Sequence, residues 1–452
     1  AFAEIDGRPA IVRGDPGKSE IIRRILSDDP DVLMPPPKHK RPLSEEEIAT
    51  LTRWVEEGAP YSGHWAYQPV ERPAVPEVKA DAAGPVDAFI AAELEKEGLG
   101  FSSQAPPETL VRRLYLDLTG LPPTPAQVDE FLEDPEANFE PTIDRIMGTQ
   151  AFAERMAMEW LDVARFADTN GYSIDDHRDM WVWRDWVIEA FRGNMPYDRF
   201  ILEQMAGDLL ENPTPRQLVA TGFLRNSMNT HEGGTIPEEY RVAAIADKID
   251  TVSTAFLGLT VKCAQCHDHK YDPVSMRDYY RFYAFFNTST EPGYGATNGN
   301  TKPFVEVEPI VQDDAAWRES LERRIATLEH FKGHPEEVLR ADELNDDQIG
   351  KVRKSLDGEI GLLRKELKSG KTSAMVMDTG AADRKTHILD RGAYDQPTVE
   401  VTAGIPEIFG ALPEGVPADR LALAKWLIDP SHPLTARVTV NRYWQMLFGT
   451  GI

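Results

Sequence analysis

Residues 261–280, VKCAQCHDHKYDPVSMRDYY, decide how the rest of this chain is read. Cys263 and Cys266 are the two cysteines of the whole sequence; they stand three apart, and His267 follows at once. From the chain's own composition, chance placement of this pattern is on the order of 1 in 10,000. Two thiols beside an imidazole form the attachment pattern of a c-type haem, in which the thiols add to the vinyl groups and the imidazole becomes the proximal iron ligand. The same pair also reads as a dithiol redox couple, a structural disulfide, or half of a zinc site completed by His267 and His269. Beyond the motif, a helix opening near Ser275 places Met276, Tyr279, Tyr280, Phe282, Tyr283, Phe285 and Phe286 close together. Such an aromatic face suits a macrocycle lining and suits an ordinary core helix equally.

Upstream, the pattern from residue 86 to 290 is helical almost throughout. PVDAFIAAELEKEGL spaces its apolar residues as a helix and reaches Gly98 near its stop; PPETLVRRLYLDLTGLPPTPAQVDEFL gives two helices separated at Gly120. Trp160, Trp181, Trp183 and Trp186 crowd the next stretch and predict a bulky aromatic core or the wall of a pocket. Between these tryptophans lies a polar segment with Asp168, Asn170, Asp175, Asp176, His177 and Arg178. Further on, Gly233-Gly234 marks a tight turn before a helix whose first turn holds Glu238 and Glu239. Asp168, Asn170, Asp175, Asp176, Arg178, Glu232 and Glu239 are therefore the candidates for general acid and base work on a carbohydrate, a chemistry that pairs carboxylates. If the iron at His267 takes a sixth protein ligand, His231 and Met276 are the candidates, because His269 is too near in sequence to reach the opposite face.

Towards the N-terminus, residues 1–61 read as a small helical unit. Ser19 precedes one apolar-periodic helix, and Ser44 with Glu47 forms a capping box opening a second, which Gly58 ends. Between them Met34 stands before Pro35-Pro36-Pro37, a methionine on a proline-stiffened loop as the distal thioether of a cytochrome c requires. Residues 62–85 read as a proline-rich linker. On the other side of the motif, residues 313–370 form a charged helical hairpin, read as an inserted arm without chemistry of its own. Residues 371–452 begin with strand-like pieces at 374–377, 386–389 and 399–402, then return to helix as the start of a third module. The fold expected is mainly α and multi-domain: the C-terminal half of a cytochrome c-like domain, a large helical module, a helical-hairpin insertion and a small β-containing segment.

The formal charge of -26 and pI near 4.8 argue against nucleic-acid or anionic-membrane partners, which need clustered positive charge. No apolar run is long enough to span a bilayer. The chain opens at Ala1 and stops at FGTGI, which predicts a fragment truncated at both ends, with any signal peptide outside it.

The ordered motifs MPPP, LSEEEIATLTRWVEEGA, HWAYQPVERP, RRLYLDLTGLPPTPAQVDEFL, ARFADTNGY, MPYDRFILEQMAGDLL, FLGLTVKCAQCHDHKYDP and LTARVTVNRYWQMLFGTG resemble the planctomycete-type surface cytochromes. Those proteins consist of a cytochrome c domain followed by two large domains of poorly known function. The resemblance spans nearly the whole chain and is weakest in the hairpin. It implies an exported protein, periplasmic or at the cell surface, carrying haem c and acting in electron transfer or haem-dependent oxidoreduction beside polysaccharide-degrading enzymes. Its partner would be a redox protein, a small molecule or a polysaccharide. It assigns Cys263, Cys266 and His267 to haem attachment and Met34 to the iron of the first domain, whose own CxxCH lies outside this sequence. The alternative is a carbohydrate-binding or carbohydrate-acting module with a structural CxxC disulfide and no haem.

Overall fold

A computed structural model describes residues 4–5, 8–39, 41–61, 64–295, 299–309, 314–339 and 345–452. It is mainly helical, 54% helix against 5% strand, with strands only in two-stranded pairs among the described residues. The chain divides into two compact units, Ala1–Gln68 and Pro69–Ile452. The expected linker at 62–85 straddles that division.

In the first unit the helices Glu20–Ile25 and Glu45–Glu56 close over Ile11, Ile22, Ile25, Val55 and Ala59. Ser44 and Glu47 form the capping box that the sequence predicts. Ser19 precedes the first helix differently: its hydroxyl bonds back to the carbonyls of Val12 and Asp15, tying the preceding loop down rather than capping the helix. Met34 is largely exposed, on a loop pinned by its own N–H donating to the Arg24 carbonyl at 3.1 Å.

The second unit opens with residues 69–84 in no regular structure, held where Lys79 and Ala80 donate their N–H groups to Glu95 of the Pro85–Lys96 helix. Helices Pro107–Thr119, Pro125–Glu133 and Pro135–Met147 then pack about Val111, Tyr115, Phe131 and Ile146. A second, aromatic core follows. Trp160 of Gln150–Val163 stacks on Phe223, Trp186 of Trp181–Arg192 stacks on Phe200 of Tyr197–Ala206, each pair at 5.5 Å, and Trp160 donates its indole N–H to buried Gln204. Gly222 lies so close beneath Trp183 that a Cβ would meet that side chain at 2.8 Å.

Through this unit runs Pro237–Val252, which carries Lys248 into the interior. There its ammonium meets Glu291 at 2.6 Å, and the guanidinium of Arg225 stands 3.3 Å from the other carboxylate oxygen. Burial pushes the Glu291 carboxyl up, but the two cations outweigh it and hold it below its ordinary value. The expected hairpin is present as Asp314–Gly333 and Asp346–Ser369, with the short Pro335–Leu339 helix at its tip and Trp317, Leu321 and Leu363 as its core. The hairpin is an excursion between two paired strands. Phe304–Val307, which the sequence patterning did not reveal, runs antiparallel to Thr372–Met375 across the whole insertion. The other strands, Thr386–Leu389 and Pro397–Val401, pair close to where they were expected. Four residues of FVEV carry too little alternation to read as a strand when their partner lies more than sixty residues away. Arg420–Leu427 and Thr435–Phe448 complete the unit.

Candidate functional site

The cysteine motif sits where a helix changes pitch. Pro237–Val252 continues as a π-helical turn, Ser253–Leu257, and stops at Gly258 with φ +64°. Widened turns of this kind recur at functional sites, because one residue is displaced from the regular ladder. The chain then enters a 3-10 turn, Val261–Gln265. Val261 and Ala264 face inward, while Cys263 and Cys266 are exposed and both are free thiols. Cys263 lies within the turn and Cys266 caps its C-terminal end, its N–H donating to the Cys263 carbonyl.

Each donor of the motif has a definite neighbour. The Cys266 thiol donates to the Arg391 carbonyl at 3.2 Å. Arg391 and Gly392 adopt φ of +49° and +76° to bring that loop over the sulfur, and a Cβ on Gly392 would lie 3.1 Å from it. The His267 imidazole is exposed, with Nδ1 2.8 Å from the Asp268 carbonyl. A carbonyl only accepts, so Nδ1 carries the proton and the lone pair stays on Nε2, the tautomer a metal-binding histidine needs. His269 differs: its Nδ1 accepts from the backbone of Tyr271 and Asp272, which makes it the organiser of the HKYDP loop. Among the described residues, no three of Cys263, Cys266, His267 and His269 bring ligand atoms within 4.8 Å of one another, so the zinc arrangement does not form.

Beneath the motif the floor is solid. Ser275 and Asp278 form a capping box that opens Met276–Tyr283, where the sequence places the start of a helix. Asp268 accepts from the Met276 N–H, and the Tyr280 hydroxyl donates to the Gln265 carbonyl, so the loop is fastened to the helix. Tyr279, Tyr280, Phe282 and Tyr283 are buried. Burial raises the Tyr283 hydroxyl to about 12, and burial together with the nearby Cys266 raises that of Tyr280. A cavity bounded by Val261, Val274, Tyr279 and Phe282 holds about 10 Å³, room for one water, whereas ligand pockets run to roughly 300–1,000 Å³. The aromatic face of this helix is packed as core. The donor set itself, two free, exposed thiols three residues apart and an imidazole protonated on Nδ1, fits a covalently held c-type haem.

The two candidate sixth ligands differ in setting. His231 is buried, with Nε2 3.1 Å from Asp176. Met276 is half-buried at the start of its helix.

The polar candidates form a knot between residues 168–180 and 226–232, joined by bridges at Thr169–His177 and Gly171–Asn229. Arg178 is fully buried at its centre, donating to the carbonyls of Ala167, Asn226 and Ser227. Burial and the like charge of Arg225 lower its pKa to about 10. Asp168 Oδ1 accepts from both the Met180 and Trp181 N–H groups at 2.8 Å. Met180 precedes Trp181–Arg192 and has no side-chain acceptor, so Asp168 caps that helix from a distance. Asn170 is buried and bonds through its backbone to Asp176 and Asn229; Asp175 accepts from Gly171, and Glu232 from Ile174. Glu239 is exposed in the first turn of Pro237–Val252. Arg178, Asp168 and Asp176 therefore hold the knot, and the seven candidates do not converge on one point.

A recess missed by sequence reasoning opens beside this knot. The hairpin read as an arm without chemistry supplies one wall, with Trp317, Ser320 and Arg324, opposite Asp168, His177, Trp181 and Asp185, around about 400 Å³. A second hollow of about 180 Å³ adjoins Asp179, Asn300, Lys365 and Glu366. His177 Nε2 is 2.8 Å from Asp179, and the Thr372 hydroxyl donates to Glu366. Burial, then the Asp179 charge, pushes the Glu366 carboxyl up to about 7. Raised carboxylates facing a hollow mark a place where protons can be exchanged near neutrality.

Comparison with known families adds an independent order. The planctomycete cytochrome C model matches residues 1–38, a protein of unknown function (DUF1549) matches 85–291, and a second protein of unknown function (DUF1553) matches 419–452. The three matches, in this order, are those of the planctomycete cytochrome family, a cytochrome c domain followed by two large domains, to which the chain is similar. Met34 lies within the cytochrome match, and the CxxCH turn within the first domain of unknown function. A c-type haem is accordingly the group that the family's first domain points to. No curated protein and no solved structure matches the chain. Among the described residues, no helix is long and apolar enough to cross a membrane.

Proposed function

We propose that this protein is an exported c-type haem protein, periplasmic or at the cell surface, in which Cys263 and Cys266 hold a haem covalently and His267 Nε2 binds its iron. The observation that carries this reading is the His267 Nδ1–H to Asp268 carbonyl bond beside two free, exposed thiols on one turn. The group would supply one-electron chemistry. The chain's own residues would hold it through two thioethers, keep the imidazole in the ligating tautomer, and anchor the turn to the Met276–Tyr283 helix. Met34 would serve the iron of the first domain. The protein would exchange electrons with a redox partner or act on a small molecule, in a setting of polysaccharide breakdown.

The test is expression with a haem-maturation system, with wild type, Cys263→Ser/Cys266→Ser and His267→Ala compared by the pyridine-haemochrome assay for covalent haem and by the ferric and ferrous spectra of the native protein for axial coordination. Wild type should carry covalent haem, the double serine variant none on this turn, and His267→Ala haem with altered axial coordination. Identical spectra for wild type and His267→Ala would exclude this histidine as a ligand.

A second reading, a carbohydrate-binding or carbohydrate-acting module, is favoured by the recess between Trp181, Trp317 and the carboxylates Asp168 and Asp185. A polysaccharide panel scored for binding before and after Trp181→Ala tests it; binding unaffected by that change would discard the recess as the site.

A further inference from the structure

The hairpin tip carries a constellation that the haem reading leaves unused. Asp314–Gly333 ends with His330 in its last turn; His334 follows immediately, and Pro335–Leu339 then presents Glu337. The ligand atoms of His330, His334 and Glu337 all lie within 4.8 Å of one another, and all three side chains are exposed. The spacing explains the convergence. Residues four apart on a helix stand one above the other, and the imidazole rings of His330 and His334 stack with centroids 4.4 Å apart. The backbone turns tightly enough for the His334 N–H to reach the carbonyls of His330 and Phe331 and for the Glu337 N–H to reach that of His334. That folds Glu337 back until its carboxylate is 3.1 Å from His330 Nε2.

Two details separate this group from a chance cluster of surface charges. His334 Nδ1 lies 3.0 Å from the His330 carbonyl, which fixes the proton on Nδ1 and leaves the Nε2 lone pair outward, the outer-shell contact that orients metal-bound histidines. The separation of His330 Nε2 from the Glu337 carboxylate is also close to what a tetrahedral ion demands, since bonds of about 2.0–2.1 Å place neighbouring ligands roughly 3.3 Å apart. The ion would replace the shared proton between them with little movement of either side chain.

We propose that His330, His334 and Glu337 form a binding site for a late first-row divalent cation of the zinc class, clipping the end of the long helix to the short one at the hairpin tip. Two imidazoles and one carboxylate suit zinc, nickel and copper rather than calcium or magnesium, which take oxygen ligands. Three protein ligands leave the remaining positions to water. Binding displaces the proton held between His330 and Glu337, so affinity falls with acidification. The tip is also where Lys332 pairs with Asp357 and Arg353 reaches the Lys332 carbonyl, so a clip there secures the contact between the two long helices.

The test uses the full chain without an affinity tag, carrying Cys263→Ser and Cys266→Ser so that thiolates cannot compete for the ion. Zinc chloride is titrated against a chromophoric chelator, with thermal unfolding followed in parallel. One zinc per chain is expected, with the unfolding midpoint raised by the metal. His334→Ala and His330→Ala should each weaken that site at least tenfold and remove the rise in midpoint, while His39→Ala, a change at an exposed histidine elsewhere, should alter neither. Circular dichroism of the apo variants should match that of the parent, because the ring contacts are on the surface. Absence of stoichiometric zinc, or equal affinity in parent and His334→Ala, overturns the proposal.

Discussion

At Glu366, burial and the neighbouring Asp179 place a carboxyl near pKa 7 in the folded chain against 4.5 as the ordinary value. A carboxyl raised on folding binds its proton more tightly in the folded state, so its contribution is fully present below the unfolded pKa and is lost as pH rises through the folded one. Glu366→Gln keeps the oxygen that accepts from Thr372 and removes the charge. Its denaturation midpoint should exceed that of wild type at pH 8, with the difference closing as pH falls towards 4.5. A constant difference across that range would show that Glu366 ionises normally. Nothing local in the sequence announces this residue, since a glutamate on a lysine-rich helix reads as a solvated face. Its environment is made by Asp179, nearly two hundred positions away. His267 is the opposite case: its neighbours in sequence are its neighbours in space, and CxxCH is legible from the residues alone.

Helix ends follow the same division. Ser44 with Glu47 and Ser275 with Asp278 cap helices that begin one residue later, and both starts are readable because the cap lies inside the motif. The cap of Trp181–Arg192 is not readable, because Asp168 supplies it from beyond an intervening loop. Asp168→Ala should therefore cost about 1–2 kcal/mol in urea unfolding, the usual loss on removing a cap, whereas Asp168→Asn, which retains an acceptor oxygen, should cost less. Equal stability of wild type and Asp168→Ala would contradict the anchoring role. The hairpin shows how an element can be correctly drawn and wrongly valued. Its two apolar stripes predict both long helices, yet its charged faces conceal that Trp317, Ser320 and Arg324 wall a recess and that its tip gathers two histidines and a glutamate. The strand Phe304–Val307 stayed hidden because only closure of the whole insertion brings Thr372–Met375 beside it.

Across the molecule, the mainly helical architecture and the order of modules were legible, because long periodic segments and several separate motifs agree with one another. The interior could not be read. Lys248, Glu291 and Arg225 form a buried charge cluster from three distant segments, and the aromatic residues after the motif are buried. The planctomycete cytochrome C match at residues 1–38 points to haem chemistry in the same chain. The central claim is covalent haem on this turn. Its most direct measurement is the mass of the proteolytic peptide containing Cys263 and Cys266 after export and haem maturation. That peptide should be heavier by the mass of one haem, with neither thiol open to alkylation; a peptide without haem, its cysteines joined to each other in a disulfide, would rule covalent haem out at this turn.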